Sequence, residues 1–213
     1  EFGHALHGLL SRVTWPSLSG TNVPRDFVEL PSQFMENWCT DRRVLPLYAV
    51  HCETGAPMPE DLMARIERAA TFNQGFATTE YLAASLLDMA WHTLTDVPAE
   101  LDVTAFEART LSAAGLIDEI IPRYRSPYFA HIFSGGYSSG YYSYIWSEVL
   151  DSDAFAAFEE QEELFHGPTA RAFRDNILSK GNTADPALLY RAFRGRDAII
   201  EPLLKKRGLA KKK

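Results

Sequence analysis

Glu1, His4 and His7 stand at the start of the chain with the types and spacing of part of a metal-assisted hydrolytic centre; the opening reads Glu-Phe-Gly-His-Ala-Leu-His. One His placed before Glu1 would complete His-Glu-x-x-His, in which two His four residues apart on a helix grip one zinc ion. The Glu of that pattern sits beside the metal and takes a proton from the bound water, whose pKa falls to about 7. Glu1 has the place of this base and His4 that of the second His. Read alone, the stretch is first of all a helix with two structural or surface histidines, so the chemistry needs support from elsewhere in the chain. His7, three residues past His4, falls near the same face and reads as a structural residue or a support for the ligands.

A hydrolytic zinc site uses three protein ligands and keeps one position open for water. A carboxylate on a neighbouring helix is the usual further donor. Glu29, one loop beyond His4, lies off the apolar stripe of its helix and fits that role. Gln33 and Glu36 share its polar face at helical spacing, Glu36 reading as solvated surface. Asp26, one turn earlier, is placed to orient a ligand histidine. A second unusual stretch runs from Tyr128 to Tyr144, with five tyrosines, three glycines and His131 in seventeen residues. Its glycines predict a mobile loop. Tyr137, Tyr141 and Tyr144 follow one another at i, i+4 and i+7, so a helix there would put them on one face.

The elements that must position these residues read as helices almost throughout. Apolar periodicity predicts helices over 1–10, 60–72, 78–95, 103–114, 152–165, 169–178, 186–193 and 196–206. Gly75 is expected to separate the second and third of these, and Gly167, Gly181, Gly195 and Gly208 to act as stops. Pro24 opens a further helix whose stripe is Phe27, Leu30, Phe34 and Trp38, with Pro31 bending it. Strand signals are few, and one all-α unit over 1–213 is the simplest account.

The 213 residues carry a net charge of −7, so nucleic acid is not an expected partner. The closing Lys211-Lys212-Lys213 reads as a solvated end, and the acidic run 159–163 as a solvated helix face. Cys39 and Cys52 make no disulfide framework and read as buried or half-buried thiols. No apolar run approaches the ~18 residues of a membrane helix, so no membrane is expected. The chain does not begin with Met, so the lack of a leader says nothing of export; a cytoplasmic location is expected, with a periplasmic one open.

EFGHALHGLLS, SGTNVPRDFVELPSQFMENW and RYRSPYFAHIFSGGYSSGYYSYIW, in this order, resemble the thimet oligopeptidase family of zinc metallopeptidases. FNQGFATTEYLAASLLDMAWHTL and FRGRDAIIEPLLKKRGL are most similar to its bacterial peptidyl-dipeptidase branch. The resemblance covers essentially the whole chain. It implies the C-terminal catalytic portion of a larger, two-lobed, all-α zincin-type enzyme, its zinc on the floor of a deep channel. The N-terminal portion, as a companion chain, would supply the first motif His before Glu1 and the opposing wall.

By matching position the resemblance makes Glu1 the general base and His4 and Glu29 ligands of one zinc ion. His131 and Tyr137 contact the bound peptide, Tyr144 donates to the tetrahedral oxyanion, and Tyr141 lines the same face. Preorganised phenol donors at such an oxygen are worth about 3 kcal/mol each. The implied reaction is hydrolysis of short peptides with release of C-terminal dipeptides. Cleavage inside oligopeptides and an inactive peptide-binding helical module are the alternatives. Arg123 and Arg125 are candidates for gripping the substrate carboxylate, since the guanidinium fork suits that group; structural ion pairing is the competing role for each.

Overall fold

The computed structural model describes residues 1–210, so the three terminal lysines lie outside the described residues. Among the described residues the regular structure is helical. In chain order the α-helices are α1 (Phe2–Leu9), α2 (Arg25–Val28), α3 (Leu30–Glu36), α4 (Leu45–Tyr48), α5 (Glu60–Ala70), α6 (Gln74–His92), α7 (Val103–Ala113), α8 (Ala130–Phe133), α9 (Ser143–Glu159), α10 (Gly167–Phe173), α11 (Pro186–Arg194) and α12 (Glu201–Lys206). No helix among them is long and apolar enough to cross a membrane. The chain forms two compact units, one of residues Glu1–Phe72 with Ile145 onward, the other of Asn73–Tyr144.

The first unit is built on the predicted stripe. Phe27, Leu30 and Phe34 pack against Leu150, Ala154, Phe155 and Phe158 of α9, and against Phe173, Ile177, Leu178, Leu189 and Tyr190. Phe34 stacks on Phe173 with ring centroids 4.2 Å apart. Pro31 interrupts the predicted single helix: α2 ends at Val28, α3 begins at Leu30, and Glu29 is the junction. A proline has no N–H to continue the ladder and its ring crowds the preceding turn, which accounts for the break at Glu29, two residues before it.

Gly3 lets α1 lie directly on α3. A Cβ there would meet the Pro31 carbonyl oxygen at 2.2 Å and the Ser32 nitrogen at 2.3 Å. The same approach allows the His4 N–H, otherwise an orphan of the first turn, to donate to Ser32 Oγ at 2.9 Å. Gly3→Ala is therefore expected to destabilise the chain by about 1–3 kcal/mol, as overpacking against backbone does, read as a lowered urea midpoint. A midpoint unchanged from the parent would refute the close approach.

The second unit joins α6 to α7 through Ala83, Leu87, Phe106 and Leu111. Asp102 caps α7, its carboxylate accepting from the Ala105 N–H at 3.0 Å.

Several boundaries differ from expectation. The break before α6 is Asn73, with φ 55°, and Gly75 lies inside the helix; Asn tolerates the left-handed region better than other side chains with a Cβ. α9 starts nine residues before 152, at Ser143, and ends at Glu159, leaving most of the acidic run outside it. Residues 196–200 are not helical, because Arg196 turns to the buried Asp153 (2.6 Å) and Asp197 to Arg191 (2.6 Å). Cys39 and Cys52 are both exposed, against expectation. They lie on a short 3-10 turn and a loop rather than on the apolar face of a helix.

Candidate active site

The predicted site residues fall into two groups, one in each unit. In the first unit α1 and the α2–α3 junction bring His4 and Glu29 together, with Nε2 and Oε2 3.2 Å apart. Glu29 owes its position to the break at Pro31, and His4 owes its own to the contact at Gly3. Two donors each about 2.0–2.1 Å from one tetrahedral zinc ion lie roughly 3.3 Å apart, so this pair fits a shared ion. His4 Nδ1 is buried with no hydrogen-bond partner in the protein. Among the described residues no group of three or more His, Cys, Asp or Glu side chains is placed to hold a metal. His4 and Glu29 are two side chains of types that a hydrolytic zinc site uses, where such a site takes three protein donors.

Glu1 is exposed immediately ahead of α1, and its carbonyl accepts from the Ala5 N–H at 3.2 Å. His7 is fully buried, and neither ring nitrogen has a hydrogen-bond partner in the protein. Burial, and secondarily the charge of His4, lowers its pKa from 6.5 to about 4, so it stays a neutral packing residue at physiological pH. Asp26 lies in the first turn of α2, where its main-chain carbonyl accepts from Ser147 Oγ at 3.1 Å.

In the second unit the tyrosine stretch is loop between α8 and α9, so the i, i+4, i+7 spacing does not act through a helix. Residues 138–142 form turns, with Gly136 (φ 80°) and Ser139 (φ 54°) in the left-handed region that ends regular helix. The rings converge all the same. Tyr137 stacks on Tyr144 at 5.2 Å, and His131 lies 6.1 Å from Tyr137, 5.6 Å from Tyr141 and 6.3 Å from Tyr144. Tyr141, expected to line the substrate face, is buried at the base of this cluster, against Phe129, Ile132 and Ala84. Burial there pushes its phenol above the ordinary value, so it remains a neutral donor.

The two arginines separate. Arg125 is ion-paired with the buried Glu107 of α7, which also accepts from the Ser126 N–H at 2.8 Å and Oγ at 2.9 Å. Arg125 thus takes the structural role that was the competing reading for it. Arg123 is exposed, 5.9 Å over the Tyr124 ring.

Sequence reasoning did not single out Glu107 or Asp88, the fully buried acid of α6. The available signal was a lone carboxylate on the core side of an otherwise apolar helix, with a His one turn on in the case of Asp88–His92.

Comparison with known proteins places residues 1–209 on the model of peptidase family M3. The chain is 49% identical over 210 residues to the dipeptidyl carboxypeptidases of Salmonella typhimurium and Escherichia coli. It is 40% identical over 216 residues to oligopeptidase A of Escherichia coli. In each case the match takes in 98% of this chain and 31% of the relative, so the chain spans about a third of the length of these curated relatives.

Proposed function

The chain belongs to peptidase family M3, and from that premise we propose that it forms the C-terminal catalytic part of a zinc-dependent peptidase that takes short peptides and releases C-terminal dipeptides. The observation that carries the reading is the meeting of His4 and Glu29, residues of two separate motifs, at 3.2 Å. Dipeptide release is supported by the higher identity to relatives named dipeptidyl carboxypeptidase, 49% against 40% for oligopeptidase A. Polypeptide outside this chain supplies the His before Glu1 and the other wall of the substrate channel.

His4 and Glu29 would hold the ion, which when bound would supply a water of lowered pKa and polarise the scissile carbonyl. Glu1 takes the proton of the attacking water and delivers it to the leaving amine. Tyr144, with Tyr137 and His131, donates hydrogen bonds where negative charge develops on the carbonyl oxygen. Tyr141, from below, fixes the rings it packs against. Arg123 receives the peptide's terminal carboxylate, while Arg125 stays on Glu107.

The test is metal content and product analysis on the assembled peptidase containing this chain. About one zinc ion per complex is expected, with C-terminal dipeptides released from a short peptide blocked at its N-terminus. Internal cleavage products would favour the oligopeptidase reading. A zinc-loaded complex that binds the peptide and leaves it intact would favour an inactive binding module.

A further inference from the structure

We propose that Asp88 is a positioning residue for the tyrosine loop: its buried carboxylate on α6, backed by His92, sets the turn that carries Tyr137, Tyr141 and Tyr144. The proposal deepens the reading above, in which the phenols of Tyr137 and Tyr144 act on the bound peptide.

Asp88 is 0% exposed and lies on the apolar side of α6, beside Ala84 and Leu87. A carboxylate is left in such a place only where its oxygens are satisfied. One oxygen accepts from the Ser139 N–H at 2.9 Å, the other from the Tyr141 N–H at 2.9 Å. The first also faces His92 Nδ1 at 2.8 Å, one helical turn away, the same nitrogen lying 3.0 Å from the Asp88 main-chain carbonyl oxygen. Both loop donors are main-chain groups, so the contact sets backbone rather than side-chain position.

That backbone needs holding. Ser139 has φ 54°, a region that a residue with a Cβ seldom occupies without help. The phenol of Tyr81, also on α6, donates to the Tyr141 carbonyl, so α6 binds both main-chain polar groups of Tyr141. The other end of the stretch is held in the same manner, Glu107 of α7 accepting from the Ser126 N–H and Oγ. His131 and Tyr137 lie on the chain between these two buried carboxylates. Gly136 in that span takes the left-handed region (φ 80°), and the two carboxylates hold its ends. The fixed end at Asp88 is the one joined to the Tyr141 and Tyr144 rings.

The test is hydrogen exchange on the full chain carrying Asp88→Asn. An amide side chain offers one acceptor where the carboxylate offers two, and presents an NH2 group to one loop N–H. The Ser139 and Tyr141 amides are expected to exchange about 10- to 100-fold faster, the scale for losing a bond to a charged acceptor, while the Leu87 amide of α6 stays unchanged. Adding Ser139→Gly, which takes the left-handed region freely, should restore part of the protection. Unchanged exchange at the two amides, or a uniform increase across residues 73–144, would overturn the proposal.

If Asp88→Asn does not fold, His92→Leu keeps both loop bonds and removes the His donor. A smaller increase confined to the same two amides is then expected, and none would refute the arrangement. In the assembled peptidase, Asp88→Asn should lower kcat about tenfold, with KM within about a factor of two. Faster exchange with kcat unchanged would leave the clamp standing and remove the phenols from the proposed mechanism.

Discussion

Glu1→Gln in the assembled peptidase is expected to lower kcat by about 10²- to 10⁴-fold, the range for removing a general base, with zinc content unchanged. The substitution is nearly isosteric, and the site is tolerant of it. The side chain is exposed, makes no hydrogen bond that caps α1, and contributes to the helix through its carbonyl, which Gln retains. Surface changes of this kind move stability by less than about 0.5 kcal/mol. His4 and Glu29 are held by contacts that Glu1 does not share: the close approach at Gly3, the Ser32 hydroxyl and the break at Pro31. A loss of turnover would therefore report proton transfer and not collapse of the metal pair. The check is kcat and bound zinc measured on one preparation. A variant that keeps more than about a tenth of parental kcat would remove Glu1 from the base's role, and loss of zinc would assign it to the metal shell.

What could be read from the sequence, and what could not, divides along physical lines. His4 and Glu29 were legible because their chemistry restricts them to few roles, and because helical periodicity on either side placed each on a defined face. The stripe of Phe27, Leu30 and Phe34 was legible for the same reason, and it is the centre of the first unit's core. The ring cluster was legible as a composition, and its glycines pointed to a loop; the route by which the rings meet was not legible. Spacing of i, i+4 and i+7 gathers side chains only if the backbone stays helical, and the positive φ at Gly136 and Ser139 prevents that. The rings meet instead because turns fold them onto Phe129, Ile132 and Tyr141. Asp88 and Glu107 were legible only as lone carboxylates among apolar helix residues, and their partners were not. A carboxylate's partner 19 residues away (Glu107 to Ser126) or 53 residues away (Asp88 to Tyr141) leaves no local pattern. The same blindness explains the misplaced helix at 196–200, where Arg196 answers to Asp153 on a distant helix.

Two buried groups make opposite and separable contributions to acid stability. His7 has its pKa lowered from 6.5 to about 4, chiefly by burial. Below 6.5 the unfolded chain binds a proton that the folded chain refuses, so His7's contribution falls as pH drops from 6.5 to 4, by about 3 kcal/mol at 1.36 kcal/mol per pH unit. Asp151 is fully buried, with Asn37 Nδ2 at 2.8 Å and Lys206 Nζ at 3.5 Å. Burial outweighs those partners and raises its pKa from 3.8 to about 6. Here the folded chain takes the proton first, so stability rises as pH falls from 6 toward 3.8, again by about 3 kcal/mol. Between pH 4 and 6 the two slopes oppose each other, and substitution should expose each in turn. Asp151→Asn is expected to make the metal-free chain lose about 3 kcal/mol relative to the parent between pH 6 and 4. His7→Leu should do the reverse, its stability rising against the parent over the same interval. Urea midpoints at pH 4, 5, 6 and 7, at constant ionic strength, would check both. The surface carboxylates that Arg42, Arg174 and Arg194 hold below their ordinary range are common to all three chains and drop out of the difference. An Asp151→Asn profile parallel to the parent's would show that Asp151 is already neutral throughout or solvated in the folded chain, and its burial against α12 would then need another account.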